Sequence, residues 1–309
     1  ATPHNGLGNV YREQGRYEEA IAAFQAAIAL NPKYAYPHNG LGSVYSNQSR
    51  YEEAIAAYQA AIALDPKSVY PHNGLGNVYS TQGRYEEAIA AYQTAIALDP
   101  KFAYPHNGLG NVYRDQGRYE EAIAAFQAAT KLSPKGKAYY SNLGKAHWVQ
   151  GNYLAGIENY QKAIQLSSDN NDDDDFNCLG WLFIVVEDYE KAQESLKKAT
   201  QDENWASLFN YGLLQILKGD AEAAKTTWRK GYQSFQQDDN WSKAPRAFYT
   251  IVLGDSDKGI AQLKALIDQN LISLEMRRML LLVAQVMQRH PDFLVVATQA
   301  ADMFENSLP

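Results

Sequence analysis

The phrase Pro-His-Asn-Gly-Leu-Gly begins at Pro3, Pro37, Pro71 and Pro105, always 34 residues apart. A strict period of this length constrains the fold more than any other feature of the chain. One unit is too short to bury its own apolar face, so units must stack on one another. Aligned, the first four units are identical at 22 of 34 positions. Each unit predicts two helices. The first opens with Pro in its first turn, where a missing N–H is harmless, carries Leu7, Val10 and Tyr11 on one face, and stops at Gly15. The second starts near Tyr17 and sets Ala20, Ile21, Phe24, Ala27 and Ile28 at helical spacing. Pro32 then ends it, because a residue before proline is driven out of the helical region.

These residues resemble the tetratricopeptide repeat family. Leu7, Gly8, Tyr11, Ala20, Phe24, Ala27 and Pro32 stand where that family has its signature, as do Leu41, Gly42, Tyr45, Ala54, Tyr58, Ala61 and Pro66 one unit later. His4, His38, His72 and His106 depart from it, at a position where the family commonly has Trp. The resemblance implies an all-α fold, a right-handed superhelical solenoid of antiparallel helix pairs. Five regular units are expected at 1–34, 35–68, 69–102, 103–136 and 137–170, the fifth marked by Leu143, Gly144, Gly151, Tyr153, Tyr160 and Ala163. Three divergent pairs are expected over 171–270, one with Leu179, Gly180, Tyr189, Ala192, Leu196 and Ala199, the next with Tyr211, Gly212, Ala224 and Trp228. Capping helices over 271–309 would close the array, with Asp292 as an N-cap. Gly6 and Gly8 each disfavour a helix by roughly 1 kcal/mol relative to Ala. The first helices must therefore be held by their neighbours, and the glycines are expected to let adjacent helices approach closely.

Composition narrows the function. At 46% hydrophobic and 20% charged, the 309 residues read as a folded soluble protein. A net charge of −7 argues against a nucleic-acid partner, which calls for clustered Lys and Arg. The single cysteine, Cys178, excludes an internal disulfide and makes a reducing cytoplasm the expected compartment. Apolar stretches such as Met279 to Val286 fall well short of the ~18 residues of a membrane span, so no membrane partner is expected. No signal peptide opens the chain, which starts without Met inside a repeated phrase, as a piece of a longer protein would.

The family resemblance also implies a site. First helices line the concave wall of such arrays, and the residues facing it map onto the columns of Thr2, Asn5, Asn9, Arg12 and Glu13. Asn5, Asn39, Asn73 and Asn107 form one row; Asn9, Ser43, Asn77 and Asn111 form the next, four residues on and so on the same face. An amide offers both a donor and an acceptor and suits the main chain of an extended peptide; the alternative is an exposed, hydrated row. Tyr36, Tyr70 and Tyr104 are expected at the groove edge to add contact area. Arg12 and Arg114 would charge the groove at units one and four, and Lys145 and Trp148 would continue the columns into the fifth unit. The expected partner is a protein or extended peptide.

No catalytic residue, metal or cofactor is expected. Equivalent histidines of successive units are separated by at least the ~8–10 Å between packed helices, too far to share a zinc, so a structural role is expected. The run Asp172 to Asp175 reads as a solvated turn capping the next helix, and Cys178 as core filling. Neither phosphate-binding loop nor nucleophile elbow occurs. Two other readings stand beside the binding scaffold. Ala247 to Asp255 and the following helices are similar to the sensor arms of STAND-class signalling ATPases, which would make this the ligand-recognising part of a larger protein. A structural array assembling through its uncapped first repeat is the other.

Overall fold

In the computed structural model, residues 1–167, 173–200, 204–234, 240–269 and 274–307 are described, with the main chain alone at 240–242, 274–276, 278, 279 and 292. Asp172 thus lies outside the described residues. All regular structure among them is helical. Two compact units are present, Ala1–Pro134 and Lys135–Pro309. The first holds four helix pairs: α1 (Thr2–Glu13) with α2 (Tyr17–Leu30), α3 (Ala35–Asn47) with α4 (Tyr51–Leu64), α5 (Val69–Thr81) with α6 (Tyr85–Leu98), and α7 (Ala103–Asp115) with α8 (Tyr119–Leu132).

Within this unit each second helix packs on the first helix of its own pair and on that of the next, and successive first helices also touch. One aromatic residue per pair holds the stack. Phe24 and Phe126 are fully buried, Tyr58 and Tyr92 nearly so. A Cβ added at Gly8 would stand 2.6 Å from the Phe24 ring, and one added at Gly40, in the next pair, 2.5 Å from the same ring. Tyr58 sits in the same way between Gly42 and Gly74, and Tyr92 between Gly76 and Gly108. The glycines of Asn-Gly-Leu-Gly therefore do more than bring two helices together, as the sequence suggests. They open a slot, half of it in each of two successive first helices, that receives a ring from the second helix between them. Leu41 and Val44 are buried beside it, whereas their counterparts Leu7 and Val10 on α1 are 43% and 48% exposed.

The turn inside each pair is fastened by polar groups. Arg50 lies over the Tyr45 ring at 4.4 Å, forks onto Glu53 and donates to the Gln48 side chain, whose own amide donates to Glu18 of the preceding pair at 3.1 Å. The same set recurs at Arg84 and Arg118. Exposed ion pairs contribute little, about 0–1 kcal/mol each, so these contacts orient the turn more than they stabilise it. The turn residue takes a positive φ, supplied by Gly15, Gly83 and Gly117, but in the second unit of the repeat by Ser49 at 59°.

Five further pairs form the second compact unit: α9 (Lys137–Gln150) with α10 (Tyr153–Leu166), α11 (Asp173–Val185) with α12 (Tyr189–Ala199), α13 (Trp205–Leu217) with α14 (Ala221–Gln233), α15 (Asn240–Val252) with α16 (Ser256–Asp268), and α17 (Leu274–Met287) with α18 (Leu294–Glu305). The slot persists in altered form, with Tyr160 against Gly144, Leu196 against Gly180 and Trp228 against Gly212. Here one continuous core runs from Ile157 to Phe304. The first helix of the last pair, α17, touches that of the first, α9. Just beyond α17, Arg289 donates to the carbonyls of Ile184 and Val185 at the end of α11, where a cation suits the negative end of the helix. The last helix does not start from Asp292 as the sequence suggests: Phe293 holds its cap position, after a short turn at Pro291–Phe293.

Two substitutions separate the slot from simple helix propensity. Gly40→Ala should destabilise the chain by about 1–3 kcal/mol through overpacking against Phe24, while Gly6→Ala, with nothing within 4 Å, should stabilise it by up to about 1 kcal/mol. Urea unfolding read by circular dichroism measures both. Ser49→Gly should raise stability by up to about 1 kcal/mol in the same assay, by relieving a left-handed serine.

Candidate binding groove and cavity

The four pairs of the first unit place the asparagine columns on their first helices. Asn5, Asn39, Asn73 and Asn107 are half-buried, as are Asn9, Ser43 and Asn111, while Asn77 is exposed. The Oδ1 atoms of Asn5, Asn39 and Asn73 are shut off from solvent and meet no donor. In the second row, Asn77 Oδ1 accepts from the Tyr92 hydroxyl at 2.7 Å, and Ser43 lies 3.2 Å from the Tyr58 hydroxyl. The rings that fill the glycine slots thus reach through to this face wherever they are tyrosine. At Asn5, Asn39, Asn73 and Asn77 the amide oxygen is turned inward, so the amide hydrogens are the polar groups left to meet a ligand.

Between α5 and α7 a cavity of about 300 Å³ gathers Asn73, Asn77, Asn107 and Asn111 with Ser80, Thr81, Tyr92 and Tyr104. A second, water-sized dimple of about 10 Å³ joins Tyr36, Asn39 and Tyr70. Tyr36, Tyr70 and Tyr104 are 58%, 56% and 62% exposed. They do not stand alone: Tyr36 packs on Tyr34, and Phe102 packs on both Tyr70 and Tyr104 with centroids 5.5 and 5.3 Å away. Sequence reasoning missed Tyr34 and Phe102, although both occupy the last column of the repeat and so precede the tyrosines they support. Arg114 ion-pairs with Asp115 at 3.1 Å and is 13% exposed; Arg12 lies 3.9 Å from Glu13. These charges are balanced by their own neighbours.

Lys145 and Trp148 belong to the second unit and line a different cavity, of about 460 Å³. Its walls come from the first helices α9, α11, α13, α15 and α17 and from Tyr160 of α10, with Trp181, Trp205, Phe209, Phe248 and Val283 among the apolar residues and Asp174, Asp175, Asn177 and Asn210 among the polar ones. Of the aspartate run, Asp173 to Asp175 form the first turn of α11, and Asp175 is not solvated as its sequence suggests. Asp175 is 7% exposed, accepts from Ser141 at 3.0 Å and lies 3.5 Å from the Lys137 ammonium. Asn210 donates to Asn177 at 2.9 Å. Cys178 packs on the core but also lines this cavity. Burial pushes its thiol up to about 11, against a lowering hydrogen bond with Tyr160.

Burial lowers the pKa of His38, His72 and His147 and raises that of Tyr58, Tyr92 and Tyr249. These groups are spread along the array; they do not converge on one point. Among the described residues no three His, Cys, Asp or Glu side chains are grouped as metal ligands, and no helix is long and apolar enough to cross a membrane.

Family models agree with this architecture. A TPR repeat model matches residues 8–49, and a tetratricopeptide repeat model matches 39–103, 73–136 and 107–171. No curated protein matches the chain. Among solved structures, PilF of Pseudomonas aeruginosa is similar with a TM-score of 0.59 and 23% identity, over 65% of this chain and 91% of that one. The Cut9 and Hcn1 hetero-tetramer of the APC/C gives 0.63 and 17%, over 80% of this chain and 47% of that one. A thermophilic TPR protein of Thermus thermophilus gives 0.51 and 20%, over 59% and 98%. At these identities the likeness is one of fold.

A thiol held protonated by burial should alkylate slowly. At pH 8 iodoacetamide should modify Cys178 on the order of a hundredfold more slowly than an unfolded cysteine, with a rate still rising past pH 10. Denaturing the chain in urea should restore the ordinary rate, as followed by mass spectrometry.

Proposed function

We propose, for a chain that belongs to the tetratricopeptide repeat family, that it binds another polypeptide without chemistry of its own, on the amide face of α1, α3, α5 and α7. The observation that carries this reading is the cavity that draws Asn73, Asn77, Asn107 and Asn111 together beside Tyr104. With their oxygens turned inward, Asn5, Asn39, Asn73 and Asn77 present amide donors, which suit the carbonyls of an extended main chain. Packed helices repeat at roughly 8–10 Å, close to three residues of extended chain at about 3.3 Å each. One asparagine pair would thus meet every third residue of the bound segment.

Each such hydrogen bond contributes about 0.5–1.5 kcal/mol net, while association opposes binding by roughly 4–15 kcal/mol. Amides alone are too weak. The supported tyrosines at the edge add the apolar contact, and ring contact area is what dominates such interfaces. Because the arginines of this face are already paired, the favoured segment is uncharged.

The triple change Asn39, Asn73 and Asn107 to Ala tests the reading on an array of displayed peptides. Retention of uncharged extended peptides should fall at least tenfold. Helix content should stay unchanged and melting nearly so, because the oxygens removed from Asn39 and Asn73 have no donor to lose. Unfolding of the variant, or unchanged capture, would refute the amide face as the contact surface.

A further inference from the structure

The second unit holds a site of another kind. Because α17 touches α9, the first helices of this unit surround a discrete cavity of about 460 Å³ where the near-identical pairs present a running face. That volume lies within the roughly 300–1,000 Å³ of small-molecule sites, which combine apolar walls with a few polar groups. Trp181 lines it and is only 3% exposed, yet its indole Nε1–H meets no acceptor. A buried donor without a partner is uncommon and destabilising, by about 1–3 kcal/mol. The charges around the cavity cancel: Asp174 and Asp175 face Lys145, and Lys137 stands 3.5 Å from Asp175.

We infer that this cavity binds a small, uncharged organic molecule with a flat apolar body and one oxygen acceptor, which takes the hydrogen bond of Trp181. The aromatic walls Trp148, Trp205, Phe209 and Phe248 supply contact for the flat body. The cancelled charges disfavour an ion, and the enclosing helices leave a chamber suited to a compact guest. Reaching Nε1, which solvent does not touch, requires the guest to displace the side chains that now shield it.

The test uses the whole chain and two probes of matched shape, 2-acetylnaphthalene and 2-ethylnaphthalene, titrated by ligand-observed NMR. The ketone should bind saturably at one site, about two- to tenfold more tightly than the ethyl compound, as one net hydrogen bond requires. Trp181→Phe should abolish that difference, and Ala206→Trp, which fills the chamber from its half-buried wall, should abolish binding of both probes. The triple asparagine variant should bind both as the unaltered chain does, which keeps this inference separate from the groove reading. No saturable binding, or binding unaffected by Ala206→Trp in a chain still folded by circular dichroism, would overturn the site. A Trp181→Phe chain that loses affinity equally for both probes would overturn the role of the indole N–H, and this arm stands even if Ala206→Trp fails to fold.

Discussion

The packing of the first four pairs rests on one contact: an aromatic ring from each second helix seated against glycines of the first helix of its own pair and, for α2, α4 and α6, of the next pair. A glycine inside a helix is unfavourable in isolation, and this chain places two in every regular first helix. Burying a Phe or Tyr without a void offsets a penalty of this size, since a large buried side chain contributes about 1.5–3 kcal/mol. The ring is also a gauge of register. A pair displaced along its neighbour would drive a backbone or a Cβ into the ring, so pairs stack in one way.

The polar face follows from the same contact. Asn5 and Asn9 flank the glycine pair in sequence, so once the glycines face the ring the asparagines are set beside it. Where the ring is Tyr58 or Tyr92, its hydroxyl extends to the second row and meets Ser43 or turns the oxygen of Asn77 inward. Where it is Phe24 or Phe126, no hydroxyl is present. A choice that looks neutral in the core, Phe or Tyr, thus decides whether a hydroxyl reaches the second row of this face.

The two units use one architecture for different ends. Near-identical pairs give a face that repeats itself, suited to something that also repeats, such as an extended main chain. In the second unit the ring position holds Tyr160, then Leu196, then Trp228, and the core becomes continuous. Here the aspartates of α11 and aromatic residues of several pairs meet around a chamber.

By itself the sequence determined the helix pairs, their 34-residue register and the residues of their core, because each of these depends on contacts between a unit and a copy of itself. The asparagine columns were legible for the same reason. Their orientation was not: the oxygen of Asn77 is turned inward by the Tyr92 hydroxyl fifteen residues away, and those of Asn5, Asn39 and Asn73 are turned inward with no donor to meet them. Lys145 and Trp148 extended the columns on paper, yet they line a cavity whose other walls come from three further pairs and α17. The burial of Asp175 against Ser141 and Lys137, the position of Cys178 and the unpartnered indole of Trp181 were likewise decided by tertiary structure alone. Repetition carries information from one unit to the next; where the pairs diverge, only the folded chain brings distant side chains into contact.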